Sequence, residues 1–120
     1  MPDELTTHSE LVPTARHDGD ALLLKVSGEV DLHSSPDLRN VLLTLLQETG
    51  AKKLVLNLAD VPYMDSSAIA VMVEALQKLR KQGGKVCLTN LQPRVKGLLE
   101  IARLNSIFTV TPDEAAALKA

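Results

Sequence analysis

Apolar residues follow two rhythms along this chain, and the alternation between them predicts its elements. Ala21 to Val26, Leu54-Val55-Leu56-Asn57-Leu58 and Val86-Cys87-Leu88 are short, nearly continuous apolar runs, the signature of buried strands. Between them apolar positions recur at helical spacing. The first set is Leu38, Val41, Leu42, Leu45 and Leu46; the second is Ile69, Met72, Val73, Leu76 and Leu79; the third is Val95, Leu98, Leu99 and Ala102. Punctuation agrees with this reading. Ser35 before Pro36 predicts an N-cap with proline at the first helical position, and Gly50 ends that helix. Gly83-Gly84 stops the second helix, and Pro93 starts the third.

The two ends carry weaker signals. Leu11 to Ala15 is mildly apolar and is separated from Ala21 by the turn His17-Asp18-Gly19-Asp20, which predicts a hairpin. Ile107-Phe108-Thr109-Val110 reads as a last short strand. Thr111-Pro112-Asp113-Glu114 supplies a cap, a proline and two acids before a terminal helix over Ala115 to Ala120. The predicted order is β-β-α-β-α-β-α-β-α. Helices between buried strands imply parallel crossovers, and the opening hairpin adds antiparallel pairing. The expectation is a small single-domain α/β fold with a mixed β-sheet and helices packed on it. Residues 1–9 are polar and are expected to be a mobile segment ahead of a domain over 10–120. No linker, repeat or low-complexity segment divides that domain.

Composition narrows the function. The chain has 120 residues, enough for one domain, with 45% hydrophobic but only 2% aromatic residues, so the core is aliphatic and a base-stacking surface is not expected. The formal net charge is -2, and no Lys/Arg run exceeds two residues, which argues against binding nucleic acid or an anionic membrane. Cys87 has no cysteine partner in the chain, consistent with a reducing, cytoplasmic compartment. No apolar stretch approaches the roughly 20 residues that span a bilayer, and the acidic start Met1-Pro2-Asp3-Glu4 is unlike a signal peptide.

Little in the sequence competes for chemistry. His8, His17 and His33 form no ligand cluster, and Asp31 beside His33 does not complete one, so no metal is expected. Gly83-Gly84-Lys85 lacks the spacing of a phosphate-binding loop and precedes a strand. Cys87 lies inside an apolar run and reads as a small core residue. Asp65-Ser66-Ser67 is different, because it falls where a strand ends and an amphipathic helix begins. Unpaired backbone N–H groups and the helix dipole favour negative charge there. Three readings of that turn are open: a helix cap, a phosphorylation switch, or a serine hydrolase. The last lacks a nucleophile elbow and an obviously placed histidine.

These residues resemble a known family, the STAS domain of bacterial anti-sigma-factor antagonists. Gly28-Glu29-Val30-Asp31 is similar to the family's Gly-Glu-aliphatic-Asp after the second strand. Leu54 to Leu58, Val61 and then Tyr63-Met64-Asp65-Ser66-Ser67 are similar to its strand and Met-Asp-Ser-Ser turn. Gly83-Gly84-Lys85-Val86 and Pro93, Val95, Leu98 and Leu99 match its later strand and helix, so the likeness spans roughly residues 11–118. The resemblance implies a binding protein and not an enzyme, without a cofactor. Its partner would be an anti-sigma factor that is also an ATP-dependent serine/threonine kinase, and binding it would free a sigma factor. That kinase would phosphorylate Ser66, with Ser67 as the fallback, and a PP2C-type phosphatase would reverse the change. Asp65, Ser66, Ser67, Asp31, Ala70 and Glu74 are the expected partner contacts. Ala68 replaces the glycine of many members, and its methyl is expected to narrow the kinase's approach. The alternative within the family is a non-switching subunit of a stressosome-like or lipid-transport assembly.

Overall fold

The hairpin predicted near the N-terminus forms one side of the sheet in a computed structural model that describes residues 3–120. Strand β2 (Thr14–Asp18) turns at Gly19-Asp20 into β3 (Ala21–Ser27), antiparallel to it. An earlier strand, β1 (Asp3–Leu5), pairs antiparallel with β2 at the sheet edge. The expectation of a mobile segment over residues 1–9 therefore gives way to a paired strand at residues 3–5; Met1 and Pro2 lie outside the described residues. The sequence signal for β1 is weak because an edge strand this short and acidic pairs through its backbone, and only Leu5 reaches the core.

After β3 the chain alternates helix and strand: α1 (Ser35–Thr49), β4 (Lys53–Asp60), α2 (Ser66–Arg80), β5 (Lys85–Thr89), α3 (Pro93–Ile101), β6 (Thr109–Thr111) and α4 (Glu114–Lys119). Strands β3 to β6 pair in parallel, giving a six-stranded mixed sheet in the order β1-β2-β3-β4-β5-β6. The last strand begins two residues later than predicted: Phe108 is buried but lies in the turn before β6.

Side-chain alternation along the strands divides the core in two. Leu22, Leu24, Val26, Leu54, Leu56, Leu58, Val86 and Leu88 face one side and pack against α1, α2 and α3. Ala21, Leu23, Val55 and Cys87 face the other side, where Ala117 of α4 covers them. Cys87 is fully buried, and burial raises its thiol pKa, so it is a packing residue. Helix α4 is fastened at both ends. Glu114 bonds Arg16 at 2.8 Å and accepts from Asn57 at 2.9 Å, while the Lys53 ammonium donates to the carbonyls of Ala117 (2.9 Å) and Ala120 (2.7 Å).

Several boundaries differ from the sequence reading, each for a local reason. Ser34, not Ser35, stands at the N-cap position of α1, but its hydroxyl is engaged with the Asp31 amide and the Glu29 carbonyl and makes no cap bond; Ser35 is the first helical residue and is buried. Asp113, not Thr111, caps α4, its carboxylate accepting from the Ala116 amide at 2.8 Å. The buried face of α2 is Ala68, Val71, Met72, Ala75, Leu76 and Leu79, with Ile69 and Val73 only half-buried at its margin. Alanines let α2 lie close to its neighbours, so the buried sector is rotated toward them and away from the larger side chains. Likewise Val41 and Leu46 are half-buried on α1, and Ala102 is exposed beyond the end of α3. Gly84 has a steric reason to be glycine: a Cβ there would lie 2.0 Å from the Lys52 carbonyl oxygen, in the close approach that lets the Lys85 amide bond Lys52 at the start of β5.

Candidate functional site

Two loops leave the C-terminal ends of adjacent parallel strands and run side by side to the starts of α1 and α2. Strand β3 shifts register against β4 between Lys25 and Ser27, and Gly28 then turns with φ +102, a conformation that L side chains rarely adopt. The Gly28 amide bonds the Asp60 carbonyl at 2.9 Å. Farther on, the Val30 amide donates to Tyr63 and the Asp65 amide donates to Val30, both at 3.1 Å, forming an isolated parallel bridge between Val30 and Met64. The Gly-Glu-Val-Asp and Met-Asp-Ser-Ser motifs are thereby zipped together, and Val30 and Met64 are buried beneath them.

Each loop ends in an aspartate whose carboxylate holds backbone amides. Asp65 is the N-cap of α2. Its Oδ1 accepts from the Ser67 amide at 2.9 Å, and the Ser67 hydroxyl also donates to it. That hydroxyl, ahead of any other contact, holds the Asp65 carboxyl below the usual carboxylate range; partial desolvation opposes it, and the amides of Ser67, Ala68 and Leu32 reinforce it. Asp31 is built in the same way. Its Oδ1 accepts from the His33 amide at 2.9 Å and the Ser34 amide at 3.0 Å, and the Ser34 amide is the chief reason its pKa is lowered. The Ser34 hydroxyl closes the loop, accepting from the Asp31 amide and donating to the Glu29 carbonyl at 3.0 Å. Both carboxylates are therefore ionised at neutral pH and fixed in place.

The sequence-derived residues do not play equal parts. Ser66 stands at the first position of α2 with an exposed side chain. Ser67 is half-buried and tied back to Asp65. Ala68 is fully buried, so its methyl faces the core and not the approach to Ser66. Ala70 is exposed one turn along. Glu74 is engaged with Arg39 of α1 through a two-pronged pair at 2.7 and 2.8 Å, which ties the two helix surfaces together. His8 and His33 are exposed and His17 is half-buried; among the described residues no group of three His, Cys, Asp or Glu side chains could hold a metal ion. Among them, too, no helix is long and apolar enough to cross a membrane.

Sequence reasoning missed two neighbours. Ser34 locks the Asp31 loop, and the Asp-x-x-Ser spacing of residues 31–34, typical of side-chain-closed turns, was its available signal. Leu32 projects from that loop with 77% of its surface exposed, and no periodicity marks it.

A profile of the STAS domain matches residues 12–117. The chain belongs to the STAS domain family. Its relatives include the anti-sigma-B factor antagonist of Bacillus subtilis, 34% identical over 88 residues that cover 73% of this chain and 79% of that protein. The fold is shared with the anti-sigma factor antagonist SpoIIAA in its unphosphorylated form, with a TM-score of 0.76 at 19% identity over 88% of this chain and 92% of that one. It is also shared with the phosphorylated form of the Bacillus cell fate determinant SpoIIAA, with a TM-score of 0.67 at 16% identity, covering 99% and 98% of the two chains. Within this STAS domain, the zipped loops lie at the C-terminal edge of the parallel strands, where open α/β sheets commonly place their sites.

The cap makes one prediction. Asp65→Ala should lower the melting temperature by a few degrees at neutral pH, because the Ser67 amide loses its acceptor. A depressed folded-state pKa means that the stabilisation is present above the unfolded value near 4. It is lost as pH falls through the lower folded value. Melts from pH 7 to pH 2 should therefore show the wild-type and variant curves converging in acid. A constant gap at all pH values would show that Asp65 acts through packing.

Proposed function

We propose that this chain is an anti-sigma-factor antagonist in the cytoplasm, which binds an anti-sigma factor with serine/threonine kinase activity and thereby releases a sigma factor. Phosphorylation of Ser66 ends the binding, and a PP2C-type phosphatase restores it. The observation that carries this reading is the contrast at the start of α2: the Ser66 side chain is exposed, while the Ser67 hydroxyl is engaged by Asp65. The names of the relatives give the partner class.

The physical argument runs through charge. Transfer of the γ-phosphoryl group of ATP to Ser66 Oγ releases ADP and the hydroxyl proton. It adds about 1.5 to 2 negative charges at pH 7. The N-terminus of α2 tolerates that charge through its dipole and unpaired amides, so the fold persists. A partner packed over the turn would have to desolvate a phosphate beside the fixed carboxylates of Asp65 and Asp31. That cost separates the two proteins.

Calorimetric titration against purified anti-sigma-type kinases of the source organism tests the reading. Ser66→Asp should keep the wild-type melting temperature and weaken binding at least tenfold, about 1.4 kcal/mol. Ala70→Arg, one turn from Ser66, should weaken binding more than Lys81→Glu at the far end of α2. Equal loss at residues 70 and 81 would remove the idea that the partner docks over the first turn. Tight binding by Ser66→Asp would favour a non-switching member of the family.

A further inference from the structure

Three large apolar side chains stand out on the described surface: Leu32 at 77% exposure, Ile101 at 84% and Val110 at 42%. A lone exposed leucine ordinarily means little. Leu32 differs in how it is held and in what surrounds it. The Asp31 carboxylate grips the His33 and Ser34 amides on its C-terminal side, and the Ser34 hydroxyl closes the turn onto the Glu29 carbonyl and the Asp31 amide. The Ser35 amide bonds Asp31 as well. The loop is braced by these bonds around Leu32, and in that fixed form it presents Leu32 to solvent. Its position also ties it to the phosphosite, because Val30, two residues before it, exchanges backbone bonds with Tyr63 and Asp65. Ile101, by contrast, ends α3 and has no such frame.

We propose that Leu32 is the apolar anchor by which the anti-sigma kinase seats on the Ser66 surface. This rests on the function proposed above. The matching feature on the kinase is an apolar socket flanked by hydrogen-bond donors for the Asp31 and Asp65 carboxylates, since burying those charges unpaired would oppose association. The rigid loop lowers the ordering cost of binding, which favours a side chain presented in its bound geometry. The same arrangement accounts for the sensitivity to phosphate. A phosphoryl group on Ser66 stands beside an apolar contact and next to two carboxylates, where like-charge repulsion and desolvation both act against docking.

The test titrates each purified anti-sigma-type serine kinase of the source organism with the full chain and four variants. Leu32→Ala should weaken binding tenfold or more, chiefly through faster dissociation. Leu32→Met, which keeps the apolar volume, should stay within about threefold of wild type. Leu32→Asp should bind more weakly than Leu32→Ala. Ile101→Ala should leave binding unchanged, and all four melting temperatures should match wild type. Binding by wild type with no loss in Leu32→Ala, or an equal loss in Ile101→Ala, overturns the anchor and leaves the proposed function standing. A wild-type chain that binds none of these kinases overturns the function, and the anchor with it.

Discussion

Ser66→Ala should take up no phosphate from the cognate kinase and ATP, while Ser67→Ala should be labelled at close to the wild-type rate. The two serines are adjacent in sequence but differ in what they are free to do. The Ser67 hydroxyl is committed to the Asp65 carboxylate that caps α2, and Ser67 is half-buried. Ser66 is exposed at the first helical position, where an attacking oxygen is accessible and where the product's charge is tolerated. Intact-mass and peptide mass spectrometry after incubation would measure the result. A label that persists in Ser66→Ala and maps to Ser67 would sink the assignment. Because the cap is Asp65, the Ser66→Ala chain should melt within about a degree of wild type, so loss of the label would not be a loss of fold.

The largest expected effect on stability is at the centre of the helical layer. Leu76→Ala should destabilise the domain by about 2 to 5 kcal/mol, because a buried side chain is replaced by a cavity that packed neighbours fill only in part. Leu76 is 3% exposed and belongs to the main core with Met72, Leu79, Val86 and Leu88. Ile69→Ala and Val73→Ala, in the same helix, should each cost clearly less, since both sites are only half-buried. Denaturant melts of the three variants would rank them. A larger cost at residue 69 or 73 would place the buried face where the hydrophobic period alone put it. Set against a total stability typically of 5 to 15 kcal/mol, the Leu76 change is expected to approach the threshold of folding.

That contrast indicates how much was legible in the sequence. Hydrophobic period located α1, α2, α3 and the central strands, since burial on one face leaves a repeat whatever the tertiary context, while α4 was marked by its capping and proline signals. On α2 it placed Met72, Leu76 and Leu79 correctly but put Ile69 and Val73 on the buried face in place of Ala68, Val71 and Ala75, because alanines count little in a hydrophobicity pattern. It missed β1, which is held by backbone bonds that leave no mark on residue type. At the site, the Met-Asp-Ser-Ser turn was visible because capping chemistry restricts residue choice. Glu74 was legible as a surface carboxylate but not as Arg39's partner, because the two residues lie 35 apart in the chain, on different helices. Leu32 was invisible for a different reason: only the loop's hydrogen bonds fix the direction in which it points.

The order of strands in the sheet is also the order of strands in the chain. Every pairing therefore closes over a single connection, either a loop or one helical crossover, and each strand meets a partner that has just preceded it in synthesis. The entropy lost on closure grows only slowly with loop length, so none of these steps demands a search across the whole chain. The parallel pairs still reach across a whole helix, Leu22 meeting Leu54 beyond α1, so these crossover closures and not the opening hairpin are the slow steps. The sheet that carries the zipped loops can thus be laid down strand by strand, with the Ser66 turn complete once β3 and β4 have met.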